Sequence, residues 1–288
     1  MIACIISLAL LSFKSQAQVG NTTIDYIRQF RDIAHANKKF IPIQQIEKYY
    51  DLIGFNAIYD VLEESFCHDK GHNVGRIVYS RLGKSLTKSL HACGTRCTGA
   101  CFHGSLMQYF DDLKESLTDY NNSTTAETLM QSYFNNLCDG ENEFQRDFVK
   151  LYGPRNESSE CFHSLGHVAM SLTDYDHIKA VQICKQLGPK MEAYFCTTGA
   201  YHEFFLKYYG QRVGDSLIYP CDKTNDFPAA CYRTSLLYKP YYRDKGYQPL
   251  AQICMAMHDA RQRQGECHSY RLSQHMLQQE KYSANAFR

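Results

Sequence analysis

Apolar residues recur along the chain at helical spacing, and no stretch settles into the strict alternation of a half-buried strand. The segment Cys161 to Cys196, CFHSLGHVAMSLTDYDHIKAVQICKQLGPKMEAYFC, shows the unit from which the rest is built. CFHSLGHVAM opens one helix, with Ser158 or Ser159 as its N-cap. Thr173-Asp174-Tyr175 predict a turn. A second helix over Asp176 to Leu187 carries Ile178, Val181 and Ile183 and stops at Gly188-Pro189. Cys184 falls in its last turn, and Cys196 in the first turn of the next helix.

The same grammar recurs. Cysteines that open a helical segment stand at 67, 101, 161, 196, 231 and 267, and four of the five intervals are 34 to 36 residues. The long interval carries an insertion near 120–160, with a turn at Asn121–Thr125 and a short added helix in EFQRDFVKLYG. A period near 35 in helical sequence predicts stacked helical hairpins. The expected fold is all-α: a disulfide-stapled solenoid of α/α hairpins with about six units. A leading helix is expected over Ile24 to Asn37, and another over Ile43 to Ser65 with a break at Gly54. First helices of the later units start at Cys67, Cys101, Ser159, Pro189, Pro228 and Cys267. Second helices are expected near Ser85–Ala92, Thr125–Leu137, Asp176–Leu187, Gln211–Tyr219 and Gln248–Arg263. Tyr194, Phe195, Phe204, Phe205, Tyr208 and Tyr209 read as core between helices.

Residues 1–17 read as a signal peptide. Ile2 to Phe13 are apolar, and Ser15 and Ala17 supply small residues at minus three and minus one. The run is shorter than the roughly 20 residues that span a bilayer, and no later stretch is apolar enough, so no membrane span is expected after cleavage. Residues 18–66 then form an N-terminal helical cap and 67–288 the repeat domain. The length also suits two compact domains, and no linker composition marks a boundary. Asn21, Asn121, Asn122 and Asn156 head glycosylation sequons, in keeping with a secreted, extracellular or secretory-lumen glycoprotein. A formal net charge of +1 argues against an electrostatic nucleic-acid binder.

The chain has 13 cysteines, and loss of Cys4 leaves an even 12 for pairing. Cysteines late in a second helix precede those that open the next unit, giving Cys93–Cys101, Cys138–Cys161, Cys184–Cys196, Cys221–Cys231 and Cys254–Cys267. Cys67 and Cys97 remain and form a sixth pair. Cys67–Cys93 with Cys97–Cys101 is the alternative. Loops of this size each contribute about 2–3 kcal/mol in the chain-entropy picture.

LGHVAMSLTDYDHIKAVQICKQLG resembles the Sel-like repeat, a relative of the tetratricopeptide repeat, through Leu165-Gly166, Lys179-Ala180 and the closing Gly188. The cysteine placement is similar to that of its cysteine-rich secreted branch. The resemblance implies a curved solenoid that binds ligands on its concave face and implies no catalytic residues.

The histidines stand outside that family pattern. Laying Gly71 over Gly166 aligns His68 and His72 with His163 and His167, each an HxxxH with glycine before the second histidine. CFHGSLM then supplies His103 at the first position and Met107 at the second. CTTGAYHE supplies Thr198 and His202, followed by Glu203. Residues four apart share a helix face, and stacked units would set these rings in a row. Neutral imidazoles with a carboxylate nearby suit Zn²⁺, Cu²⁺ or Fe²⁺. The same residues also have a purely structural reading, in which glycine permits close packing and the imidazole bonds a carbonyl beside a disulfide.

Three functions fit the sequence. The first is a scaffold that binds a protein, peptide or glycan on a histidine-lined concave face. The second is a transition-metal-binding protein using His68, His72, His103, His163, His167, His202 and Glu203. The third is a hydrolase or lyase in which Tyr201, Glu203 and Arg233 hold an anionic substrate. No nucleophile or acid/base pair motif, HExxH, CxxCH or GxSxG marks an enzyme. Cys93 to Cys97 is a CxxxC loop.

Overall fold

The structure is a computed structural model and describes residues 22–37, 40–65, 67–118, 132, 137–138, 146–147, 150–151, 157–187, 190–208, 214, 219–224 and 226–238. The expected signal peptide, the four sequon asparagines, the helix expected over Gln248–Arg263, the unit expected to open at Cys267 and most of Thr125–Leu137 lie outside them. The described residues are helical, with no strand among them. The chain divides between Tyr109 and Phe110 into two compact units. That division falls inside a helix, which is why no linker composition announces it.

The first unit contains α1 (22–36), α2 (Ile43–Glu63), α3 (His68–Arg81), α4 (Leu86–Cys93), a 3₁₀ turn (Arg96–Gly99) and the start of α5 (Ala100–Thr118). Gly54 breaks α2 with φ 80°, a left-handed value that glycine adopts without steric cost. Ser85 caps α4, its hydroxyl accepting the Lys88 N–H at 3.3 Å.

The centre of this unit is α3, although HDKGHNVGR is a polar sequence. Every residue from His68 to Gly75 is buried. Protein partners offset the cost of burying Lys70 and Asn73. Lys70 Nζ donates to the Ala34 carbonyl at 2.7 Å, satisfying a C-terminal carbonyl of α1. Asn73 Nδ2 donates to Ile41 O at 3.0 Å, and the Tyr59 hydroxyl to Gly71 O at 3.2 Å. Burial pulls the Lys70 ammonium below its usual pKa, and Asp69 partly offsets this.

The second unit contains α6 (Glu157–Leu172), α7 (His177–Lys185), α8 (Lys190–Lys207) and α9 (Pro228–Tyr238). Asp176 caps α7 through the N–H groups of Ile178 and Lys179. α8 packs against α6, α7 and α9. It therefore buries Ala193, Cys196, Ala200, Tyr201, Phe204 and Phe205 on more than one side. Two expectations change here. α6 begins at Glu157, ahead of the expected Ser158 or Ser159 cap. The helix Gln211–Tyr219 is not continuous, because Gly214 is a bend with φ 76° and Tyr219 lies in a turn.

The structure joins Cys67–Cys97, Cys93–Cys101, Cys138–Cys161, Cys184–Cys196 and Cys221–Cys231, with Cα–Cα distances of 5.4–5.8 Å. Cys67 thus takes Cys97 rather than Cys93. Cys254–Cys267 lies outside the described residues.

Each unit also holds a close crossing of two helices. A Cβ on Gly75 would overlap the Cys101 carbonyl, and one on Gly104 the His72 carbonyl. A Cβ on Gly166 would overlap the Cys196 carbonyl, and one on Gly199 the His163 carbonyl. Only glycine lets backbones approach this closely. Contacts follow the same order along both partners. On α3 and α5, His68 meets Thr98 just ahead of the crossing and Arg76 meets Gln108 beyond it. On α6 and α8, His163 meets Thr198 and His167 meets Glu203. Each pair therefore runs parallel.

Candidate metal centre

The parallel pairs bring the six candidate histidines into two triads, one in each unit. In the second unit, His163 and His167 share a face of α6, and His202 reaches them from α8. Ring centroids lie 5.0 Å (His163–His167), 5.6 Å (His163–His202) and 4.7 Å (His167–His202) apart. In the first, His68 and His72 on α3 meet His103 on α5, with centroids 5.1, 5.3 and 5.6 Å apart. Within each triad, one nitrogen per ring lies within 4.8 Å of the others.

The crossing glycines correct the expected register. Gly75, not Gly71, makes the backbone contact that Gly166 makes, and a side chain at Gly71 would meet only side-chain atoms. Relative to the crossing glycines, His163, His167 and His202 sit at −3, +1 and +3, while His68, His72 and His103 sit at −7, −3 and −1. Every member is shifted by four residues. The first triad is the same constellation, one helical turn nearer the amino ends. His103 and His202 thus play one role, although the glycine-71 alignment put them at different positions. The place of His167 in the first unit is held by Arg76, whose guanidinium donates to Gln108 Oε1 at 3.3 Å.

The second triad has its tautomers set by its surroundings. The Thr198 hydroxyl donates its one proton to the Phe195 carbonyl at 2.7 Å, so at 2.9 Å it accepts from His163 Nδ1–H. The Glu203 carboxylate accepts from His167 Nδ1–H at 3.0 Å. Both Nε2 atoms then carry lone pairs, and they face each other at 3.2 Å. His202 Nδ1 completes the triangle at 3.4 Å from His163 Nε2. Lone pairs so placed repel unless a cation or a shared proton lies among them. A tetrahedral ion with bonds of about 2.0–2.1 Å to nitrogen separates its ligand atoms by about 3.3–3.4 Å. The protein already has that spacing.

Glu203 is buried, and its other oxygen accepts from the Tyr175 hydroxyl at 3.2 Å. Tyr175 and Asp174 both have positive φ, 64° and 51°. For a residue as large as tyrosine this conformation costs about 1–3 kcal/mol, and here it accompanies a phenol set on the carboxylate. A carboxylate on the far nitrogen of a histidine ligand fixes its ring and raises its basicity. His167 and His202 are buried, whereas His163 keeps partial solvent contact, which gives a small ion a way in.

Compared with protein-family models, with curated proteins and with solved structures, the chain matches none.

The residues named for an anionic substrate do not converge. Tyr201 is fully buried, and burial pushes its phenol up to about 12. Arg233 is exposed, and Glu203 is engaged by His167 and Tyr175. The structural reading of His68 is realised on one nitrogen: Nδ1 bonds the Cys97 carbonyl beside the disulfide at 2.9 Å. The orienting residues Thr98, Tyr175 and Gln108 carry no sequence signal, because each acts across a gap of about 30 residues set by the helix crossing. Among the described residues no helix is long and apolar enough to cross a membrane.

Proposed function

We propose that this is a transition-metal-binding protein of an oxidising, secretory compartment. Its principal site is His163, His167 and His202, with Glu203 orienting His167. The observation that carries this reading is the convergence of three ring nitrogens, two of them fixed as lone-pair donors, at separations of 3.2 and 3.4 Å. Three neutral imidazoles favour Zn²⁺ or Cu²⁺, with Fe²⁺ less well served by an all-nitrogen set. The ion would also balance the buried Glu203 charge. A signal peptide over residues 1–17 that is cleaved, glycosylation, a solenoid of about six stacked hairpins and the Sel-like relationship belong to the same reading. The five disulfides and the parallel packing of α3 with α5 and α6 with α8 support it.

Elemental analysis of protein purified without added chelator tests the proposal. Wild type should retain a divalent transition ion, and a His163→Ala/His167→Ala double variant should lose the second unit's share. Metal content unchanged by that double variant would overturn it. A metal-free scaffold for a protein, peptide or glycan predicts no retained ion in either protein.

A further inference from the structure

The first triad reproduces the second, displaced by one turn, and its surroundings differ in a way that bears on what it holds. His68 Nδ1 lies 2.9 Å from the Cys97 carbonyl and 2.6 Å from Thr98 Oγ1. A carbonyl only accepts, and the Thr98 hydroxyl already donates to that carbonyl at 2.7 Å. His68 therefore carries its proton on Nδ1 and offers Nε2, the same tautomer that Thr198 imposes on His163.

The support for this hydrogen bond is covalent. Cys67 immediately precedes His68, and its disulfide runs to Cys97, whose carbonyl orients the ring. Cys97 and Thr98 both have left-handed backbones, φ 51° and 53°, which non-glycine residues adopt only when held there. Arg96 adds a second hold, donating to Glu63 at 2.7 Å and Asp60 at 2.6 Å on α2. The turn is thus pinned on both sides of Cys97.

Glu203 has no counterpart at the matching place of the first unit. Glu203 stands four residues after its crossing glycine. Shifted back by one turn, the equivalent place is Gly104 itself, which must stay side-chain-free against the His72 carbonyl. The displacement that moved the histidines therefore removed the acid.

We propose that the first unit binds its own divalent transition ion through His68, His72 and His103, and that the Cys67–Cys97 disulfide positions this site. The inference rests on the metal-binding reading of the second triad. With glycine at the place of Glu203, this ion is held about 10–100-fold more weakly than the one at His163, His167 and His202.

The test is a Zn²⁺ titration of chelator-stripped full-length protein against a chromophoric competitor. Wild type should take up two equivalents of unequal affinity. His167→Ala should keep only the weaker one, and His72→Ala only the tighter. His103→Ala should repeat the His72→Ala result. A Cys67→Ser/Cys97→Ser variant should keep the tight equivalent, which reports that the chain has folded, and weaken the other by about tenfold or more. If wild type takes up one equivalent and His72→Ala leaves it unchanged, the first-unit site is wrong while the second stands. If both equivalents survive the double serine change at unaltered affinity, the positioning role is wrong. No uptake by wild type overturns the metal reading itself. If a serine or alanine variant loses both equivalents, the sites are not independent and the proposal of one ion per unit fails.

Discussion

His167 carries the most consequence of any single side chain, because its ring links the buried Glu203 carboxylate to the point where three nitrogens meet. Glu203→Gln should leave the fold intact and weaken Zn²⁺ about 10–100-fold, measured by competition titration. The amide can still accept from Nδ1 but no longer supplies negative charge. A second residue reports on protons rather than metal. His177 is buried against Phe204 and Tyr219, and burial lowers its pKa below the usual imidazole value, despite the opposing fields of Asp176 and Asp222. The unfolded chain therefore takes up this proton first as pH falls. The sign is loss of stability below about pH 6.5. His177→Phe should lose less thermal stability than wild type between about pH 7 and pH 5, followed by circular dichroism. An equal loss in both would remove His177 as a contributor. At this scale the sequence was informative about which histidines come together, since all six named histidines fall in the triads. It was silent on Thr98 and Tyr175, whose roles depend on left-handed backbone at ordinary residues.

Helices α6 and α8 owe their closeness to Gly166 and Gly199, as α3 and α5 owe theirs to Gly75 and Gly104. Gly166→Ala would gain about 1 kcal/mol of helix propensity but force a methyl group into the Cys196 carbonyl. Overpacking of this kind costs about 1–3 kcal/mol or more, and here the obstacle is backbone that cannot rotate aside. The expected outcome is a lower denaturation midpoint and loss of the second-unit ion, because the nitrogens separate with the helices. An unchanged midpoint would mean that the crossing is looser than drawn. Helix positions followed from periodicity and caps: Ser85, Asp176 and the Gly54 break all lie where the pattern puts them. The register between α3 and α6 did not, because α3 contains two glycines in HDKGHNVG and periodicity cannot say which one meets a neighbouring backbone. The burial of α3 was equally hidden. Its charged and amide groups find partners on α1 and the link to α2, more than 30 residues away in sequence.

Five disulfides join the described residues of the two compact units, and the stability of the molecule should depend on their oxidation. Each closed loop contributes about 3 kcal/mol, and a domain of ordinary stability has only about 5–15 kcal/mol in hand. Full reduction should therefore abolish the cooperative thermal transition, seen by calorimetry, and release bound metal in the same step. A transition that survives strong reductant would show that the helical core suffices without its bridges. The placing of cysteines at the ends and starts of helical segments and the 35-residue period made the described bridges and the helical class legible. The boundary inside α5 was not, since it falls within continuous helical sequence. The most direct measurement of the central claim is X-ray absorption at the zinc edge of the zinc-loaded, full-length protein. The expected result is a first shell of nitrogen or oxygen at about 2.0–2.1 Å that includes three imidazoles per ion. A shell without imidazole scattering, or zinc that dialyses away entirely, would contradict it.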